Sequence, residues 1–82
     1  MSSEVEELDA RGLLCPLPVI RTQDRVRGLA DGVELVITAT DPGVMQDIPA
    51  WCRVHGHVLL SAERTGRLCV VRLRVVREKN AP

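Results

Sequence analysis

The sequence predicts an α/β (α+β) two-layer sandwich, in which a four-stranded mixed sheet carries two helices on one face and the elements run βαβαββ. Three observations predict this fold. Two segments have apolar residues at helical spacing, four have the pattern of strands, and turn residues separate them. With 82 residues, 45% of them hydrophobic, the chain can form one core but not two. One domain over residues 1–82 is therefore expected.

The first half of the chain contains a strand, a helix and a second strand. Residues 5–9 predict a short strand, which a loop follows. Pro16 suits the first position of a helix, where a missing N–H costs no hydrogen bond. Residues 33–40 predict a strand whose two faces are both partly apolar. Between them a helix is predicted, and the residues that recur at helical spacing and form one of its faces are Val19, Thr22, Val26 and Leu29.

The second helix opens after Asp41-Pro42, and its exact start depends on Pro49. A cap at Asp41 would place Pro49 inside a continuous, kinked helix. A cap at Asp47 would place it harmlessly in the first turn. The sequence leaves both arrangements open. In either case one helical face is formed by Val44, Ile48, Trp51, Cys52 and His55.

A hairpin completes the predicted sheet. Gly56 ends the second helix, residues 57–64 and 67–77 predict two antiparallel strands, and residues 78–82 predict a frayed tail. A right-handed crossover between the first two strands would make them parallel. The result is a mixed sheet.

Charge is balanced over the whole chain but not along it. The formal net charge is zero, which gives no general attraction to nucleic acid or to a membrane. Residues 1–52 hold nine acidic residues against four arginines, whereas residues 53–82 hold seven basic residues against two acidic ones. The last strand should leave Arg72 and Arg74 on the open face of the sheet. This face is either a solvated surface or a docking surface for an acidic partner or an RNA backbone.

Composition disfavours several classes of protein. Trp51 is the only aromatic residue, so an aromatic surface for base stacking is absent and direct nucleic-acid binding is not expected. The acidic N-terminus does not resemble a signal peptide, and no apolar run has the length of a membrane span. Three cysteines, an odd number, indicate reduced thiols rather than a disulfide framework. We therefore expect a cytoplasmic protein with no membrane partner.

The run Cys15-Pro16-Leu17-Pro18 is the strongest candidate for a functional site. If Pro16 is the first helical residue, Cys15 is the N-cap, where the helix dipole and the Leu17 N–H, with the Val19 N–H as a second candidate, would lower the thiol pKa. Pro18 stands where a C-x-x-C pair has its second cysteine, so this thiol has no resolving partner beside it. A lone thiolate can instead attack a sulfane sulfur, hold it as a persulfide and release it to another thiolate.

Two alternatives qualify this interpretation. Cys15 could be an ordinary buried cysteine, although a core residue would not require prolines on its C-terminal side. Arg11 could lie near the sulfur and favour its anionic form, or it could pair with Asp9 or Glu7 and only shape the loop.

Residues 8–18, LDARGLLCPLP, resemble the signature L-D-x-R-G-x-x-C-P-x-P of the TusA/SirA-like sulfur carrier proteins. The resemblance implies a βαβαββ sandwich in which Cys15 becomes persulfidated, with no cofactor beyond the bound sulfur. It implies a donor such as a cysteine desulfurase or a rhodanese-type protein, and an acceptor in tRNA thiolation or another sulfur pathway. The likeness continues through Asp31-Gly32-Val33-Glu34, Asp41-Pro42, Asp47-Ile48-Pro49, Cys52 and Gly56-His57.

The resemblance is not complete. Some members of the family carry a basic pair midway along the first helix, where this chain has Gln23 and Asp24. The main rival hypothesis is a non-enzymatic regulatory or interaction module that contacts RNA through Arg72 and Arg74. A thiol redox or metal-handling domain is a third hypothesis. As a sulfur carrier, the protein would be one component of a relay and would turn over only with partner proteins.

Three other groups of residues have structural explanations. Cys52, His55 and His57 have spacing that suggests a metal, but His57 lies beyond the helix end and a fourth ligand is missing, so we expect no metal and place Cys52 in the core. Cys69 is expected in the core. Trp51 is expected in the core or at its edge, with a role as partner anchor as the alternative.

Overall fold

A computed structural model describes residues 4–77 and confirms the predicted βαβαββ order. The strands pair in the order β1-β2-β4-β3, with β1 parallel to β2 and both other pairs antiparallel. The elements are β1 (Val5–Ala10), α1 (Leu17–Arg27), β2 (Glu34–Ala39), α2 (Val44–His55), β3 (Val58–Thr65) and β4 (Leu68–Arg74).

The core lies between one face of the sheet and the two helices. Alternation in β2 and β4 directs every second side chain toward the helices, because successive residues of a strand point to opposite faces. The buried strand residues are Leu35, Ile37 and Ala39 of β2 and Cys69, Val71 and Leu73 of β4. The helices cover them with Thr22 and Val26 of α1 and with Val44, Ile48 and Cys52 of α2. As predicted, Arg72 and Arg74 are exposed on the other face.

Pro49 lies inside α2, so the alternative that placed it in the first turn is wrong. The helix starts at Val44 after an N-cap at Gly43, and neither aspartate caps it with its side chain. The Asp41 carboxylate instead accepts a hydrogen bond from the Gly43 N–H at 3.1 Å. Gly56 ends the helix in a left-handed conformation, φ 80°, which glycine adopts without steric cost.

Strand β4 is shorter than predicted, because residues 75–77 bond to other parts of the fold. Val75 exchanges backbone hydrogen bonds with the turn before β2. The Val76 N–H donates to His57 Nδ1 at 3.1 Å. The Arg77 guanidinium donates to carbonyl groups at the end of α1, which satisfies acceptors that a helix end leaves free. The predicted tail at 78–82 lies outside the described residues.

The bond between Val76 and His57 predicts a pH dependence of stability. Burial, with help from the charges of Arg77 and His55, lowers the pKa of His57 below its ordinary value of 6.5. The native state therefore favours the neutral ring, whose Nδ1 can accept a hydrogen bond from the Val76 N–H. Its contribution to stability should be complete above the unfolded pKa and should be lost as pH falls toward the folded pKa.

Urea unfolding of the wild type and of His57→Gln, between about pH 7 and pH 5, tests this prediction. Glutamine can accept the same hydrogen bond but does not titrate in this range. We expect the free energy of unfolding to fall more steeply in the wild type than in the variant as pH is lowered. Equal slopes would mean that His57 plays no part in the pH dependence.

Candidate functional site

The candidate site lies where the two parallel strands end. Because β1 and β2 run in the same direction and pair up to Ala10 and Ala39, the loops that follow them lie side by side. The Gly12 N–H donates to Thr40 Oγ1 across the two loops at 3.0 Å. Gly12 has φ 81°, a left-handed conformation that suits glycine and lets the first loop turn toward the second.

Asp41 fixes the backbone of the cysteine loop. Its Oδ2 accepts a hydrogen bond from the Cys15 N–H at 2.7 Å, while its Oδ1 accepts the Gly43 N–H at the start of α2. The two bonds lower the pKa of the Asp41 carboxyl, the bond from Gly43 having the larger effect. One carboxylate thus connects the loop that carries Cys15 with the loop that begins the second helix.

The Cys15 thiol is exposed and makes one hydrogen bond in the described part of the chain, from Sγ to Asp47 Oδ2 at 3.1 Å. Asp47 lies in the first turn of α2 and is half-buried. The bond to Asp47, followed by desolvation and by the charges of Asp47 and Asp41, raises the pKa of Cys15 above its ordinary value of 9.0. The resting group is therefore a thiol that donates a hydrogen bond to the Asp47 carboxylate.

This geometry corrects the predicted activation of Cys15 by the first helix. The helix starts at Leu17, and its N-cap is Pro16 rather than Cys15. The Leu17 N–H donates to the Leu14 carbonyl at 2.8 Å, and the Val19 N–H donates to the Pro16 carbonyl at 3.1 Å. Neither amide contacts the sulfur, so the predicted lowering of the Cys15 pKa is wrong.

Pro16, Pro18 and Arg11, which the sequence also assigned to the site, have different structural roles. Pro16 continues the loop through a cis Cys15–Pro16 peptide bond, and Pro18 is a buried residue of the first turn of α1. Arg11 pairs with Asp9, Nε to Oδ1 at 2.9 Å, as the second alternative proposed. The hydrogen bonds from the Arg11 side chain and backbone lower the pKa of Asp9 to about 2. Arg11 is thus occupied with shaping the loop.

A shallow hollow of about 300 Å³ lies beside this ion pair. Cys15 is not among the residues that line it, so the hollow is separate from the thiol. Its walls are mainly polar and are formed by Glu7, Leu8, Asp9, Arg11 and Thr38.

Cys52 and Cys69 are core residues, as predicted. They are 1% and 0% exposed, and burial raises the pKa of Cys52 to about 11. Among the three cysteines, only Cys15 is exposed. This difference in exposure makes Cys15 the thiol that another protein can reach.

The Cys52, His55 and His57 cluster has a packing role. Trp51 is half-buried at the core edge, and its ring lies 5.0 Å from that of His55 and 5.1 Å from that of His57. Its Nε1 donates to Gln23 Oε1 at 3.2 Å. Within residues 4–77 no three His, Cys, Asp or Glu side chains are grouped so that they could hold a metal ion.

Asp47 and Asp41 are the site residues that sequence reasoning did not assign to Cys15. They lie 32 and 26 residues further along the chain. A signal was present, since Asp41 directly follows a strand predicted to be parallel to the one before the cysteine loop. Loops at the same edge of a parallel sheet meet, which could have placed Asp41 beside Cys15.

Apolar side chains are exposed in the cysteine loop and in the first turns of α1. Leu14 is 72% exposed, Leu17 42% and Ile20 47%. Exposed apolar groups clustered near a reactive residue are typical of a surface that meets a partner.

On the opposite face of the sheet, Arg72 donates to Glu34 at 3.2 Å, which neutralises part of the arginine surface. No helix within residues 4–77 combines the length and apolarity that crossing a membrane requires.

Comparison with known proteins finds relatives of this chain among sulfur carrier proteins. The family model described as "Sulfurtransferase TusA" matches residues 6–76. Over 61 residues the chain is 43% identical to the "Putative sulfur carrier protein YrkF" of Bacillus subtilis, covering 74% of this chain and 33% of that protein. Over 79 residues it is 34% identical to a "Putative sulfur carrier protein" of Aquifex aeolicus, covering 96% of this chain and 40% of that protein.

A solved structure shares the fold. The crystal structure of the SirA-like protein from Desulfitobacterium hafniense superposes with a TM-score of 0.75 at 19% identity, covering 88% of this chain and 99% of that one. The chain spans 33% and 40% of the lengths of the two curated relatives, so it corresponds to one part of each. With nearly all of its described residues matched by the family model, the chain belongs to the TusA family of sulfurtransferases.

Proposed function

We propose that this domain carries sulfur as a persulfide on Cys15. It would accept a sulfane sulfur from a donor protein, a cysteine desulfurase or a rhodanese-type protein, and pass it to an acceptor protein. tRNA thiolation or another sulfur-transfer pathway would use the sulfur. The observation that carries the proposal is the exposure of Cys15 at the loop edge of the sheet, while the two other cysteines are buried.

The surroundings of Cys15 support a carrier that works with partners. The thiol has no second cysteine in contact, so it cannot resolve a persulfide as an internal disulfide. The exposed Leu14, Leu17 and Ile20 offer apolar contact area beside the thiol, and a partner could cover it during transfer. A reducing compartment such as the cytoplasm would keep the empty carrier as a free thiol.

Loading by candidate donors tests the proposal. The protein is incubated with a cysteine desulfurase and cysteine, or with a rhodanese and thiosulfate, and the peptides are then mapped by mass spectrometry without reductant. We expect a gain of one sulfur on the peptide that contains Cys15 with at least one of the two donors. Sulfur on the peptides of Cys52 or Cys69 alone would contradict the proposal.

A further inference from the structure

Asp47 is the one side chain that hydrogen-bonds to the sulfur of Cys15 in the described structure. The Sγ to Oδ2 distance is 3.1 Å, so the thiol donates and the carboxylate accepts. Cys15 lies in the loop before α1, whereas Asp47 lies in the first turn of α2. This contact is tertiary and depends on the fold.

The backbone amides at the start of α1 and the Arg11 guanidinium, which could stabilise a thiolate, are already engaged. The amides of Leu17 and Val19 donate to backbone carbonyls. The guanidinium of Arg11 is held by Asp9. Two carboxylates near the sulfur make a free thiolate scarce at neutral pH, since a like charge disfavours the ionised form. A reaction that needs a nucleophilic sulfur therefore needs an acceptor for the proton at the moment of attack.

We propose that Asp47 is a catalytic proton acceptor for sulfur transfer at Cys15, an inference that rests on the proposed function. As Sγ bonds to the terminal sulfur of a donor persulfide R–S–SH, the thiol proton passes to Asp47 Oδ2. The S–S bond of the donor breaks, and its electron pair leaves on the donor sulfur as R–S⁻. That thiolate takes the proton from Asp47, which gives Cys15–S–SH and R–SH with no net oxidation or reduction.

Asp41 is a positioning residue in this scheme. Its carboxylate holds the Cys15 N–H at 2.7 Å and the Gly43 N–H at 3.1 Å. Gly43 is the N-cap of the helix whose first turn carries Asp47. The bridge therefore fixes the distance between the backbone that bears the thiol and the helix that bears the proton acceptor.

The pH profile of thiol exchange separates proton transfer to Asp47 from simple ionisation of the thiol. With a carboxylate base in contact, the rate should be nearly independent of pH between about 6 and 8, because the reactive species is the thiol–carboxylate pair. With attack by a pre-formed thiolate, the rate should rise about tenfold per pH unit below the thiol pKa. The probe is an uncharged dipyridyl disulfide, whose thiopyridone product is coloured, with the Cys15→Ser background subtracted.

We expect a flat profile for the wild type and for Glu63→Gln, a matched variant that removes one exposed carboxylate from β3. Asp47→Asn should show the tenfold rise per pH unit, and at about pH 6 it should react at least tenfold more slowly than the wild type. Asp47→Glu, which keeps a carboxylate, should restore a flat profile. Urea unfolding checks that each variant is folded.

A wild-type rate that itself rises tenfold per pH unit would overturn the proposal, whatever the variants do. So would Asp47→Asn reacting faster than the wild type at every pH, since Asp47 would then only repel the thiolate. The loading experiment tests the proposed function separately, and that function is rejected if the wild type gains no sulfur from either donor protein. A flat disulfide profile together with failed loading would retain the role of Asp47 in thiol exchange and reject the carrier function.

Discussion

Replacing Cys15 by serine is expected to reduce sulfur loading by a donor protein to the background of uncatalysed reaction. The hydroxyl of serine cannot form a persulfide, and the other two thiols are at most 1% exposed. Burial also raises the pKa of Cys52 to about 11, so that this thiol is rarely ionised in the native state. The rate of sulfur gain, measured by intact mass over time, should therefore fall to zero within error.

Two controls make this result specific. Cys69→Ala removes a buried thiol and should load at the rate of the wild type, provided that urea unfolding shows a folded protein. The urea midpoint of Cys15→Ser should match that of the wild type, because the Cys15 side chain is exposed and contributes little packing. Residual loading of Cys15→Ser at more than a small fraction of the wild-type rate would assign the chemistry to another residue.

Replacing Ile48 by alanine is expected to give a large loss of stability. Ile48 is 0% exposed and lies in the middle of α2, against the core. Truncation of a buried isoleucine costs about 2–5 kcal/mol, from lost burial and from the cavity left behind. A domain of this length is stabilised by only about 4–12 kcal/mol, so the substitution should remove a large part of the free energy of unfolding.

Ile20→Ala is a matched control for this prediction. Ile20 undergoes the same chemical change on α1, but it is 47% exposed, and we expect a loss below about 1 kcal/mol. Urea unfolding of both variants measures the difference. Equal losses for the two variants would show that α2 is not packed against the sheet as described.

The fold was predictable because local patterns agree with tertiary packing. Leu35, Ile37 and Ala39 alternate with partly exposed residues, and all three are buried under the helices. The positions of Arg72 and Arg74 on the open face followed from the same period of two.

The surroundings of the thiol could not be predicted in the same way. The proline run suggested a helix cap at Cys15, but the helix begins two residues later, at Leu17. The groups that determine the charge state of the sulfur, Asp41 and Asp47, come from the next loop and helix. Sequence periodicity identifies which face of a helix is buried and does not give the hydrogen-bond partner of a loop residue.

The end of β4 could not be predicted from the local sequence pattern either. The pattern of residues 67–77 is that of one long strand, yet the ladder stops at Arg74. The following residues bond to His57 and to the end of α1, which are contacts between distant parts of the chain. Strand length was therefore set by tertiary hydrogen bonds that no local pattern records.

The carboxylates of Asp41 and Asp47 determine the protonation state of the Cys15 sulfur at rest. They keep the resting sulfur protonated, in contrast to a thiol activated by a helix dipole. A carrier of this kind would hold little free thiolate while it diffuses between partners. It would react when a docked donor places a sulfane sulfur against the thiol and Asp47 takes the proton.

Delivery of sulfur, measured after loading, tests the carrier function most directly. The loaded protein is separated from its donor and mixed with an acceptor thiol, and the intact masses of both species are followed. A sulfur carrier should return to its original mass while the acceptor gains one sulfur for each one lost. Sulfur that stays on the protein, or that leaves as free sulfide with no gain by the acceptor, would contradict the account.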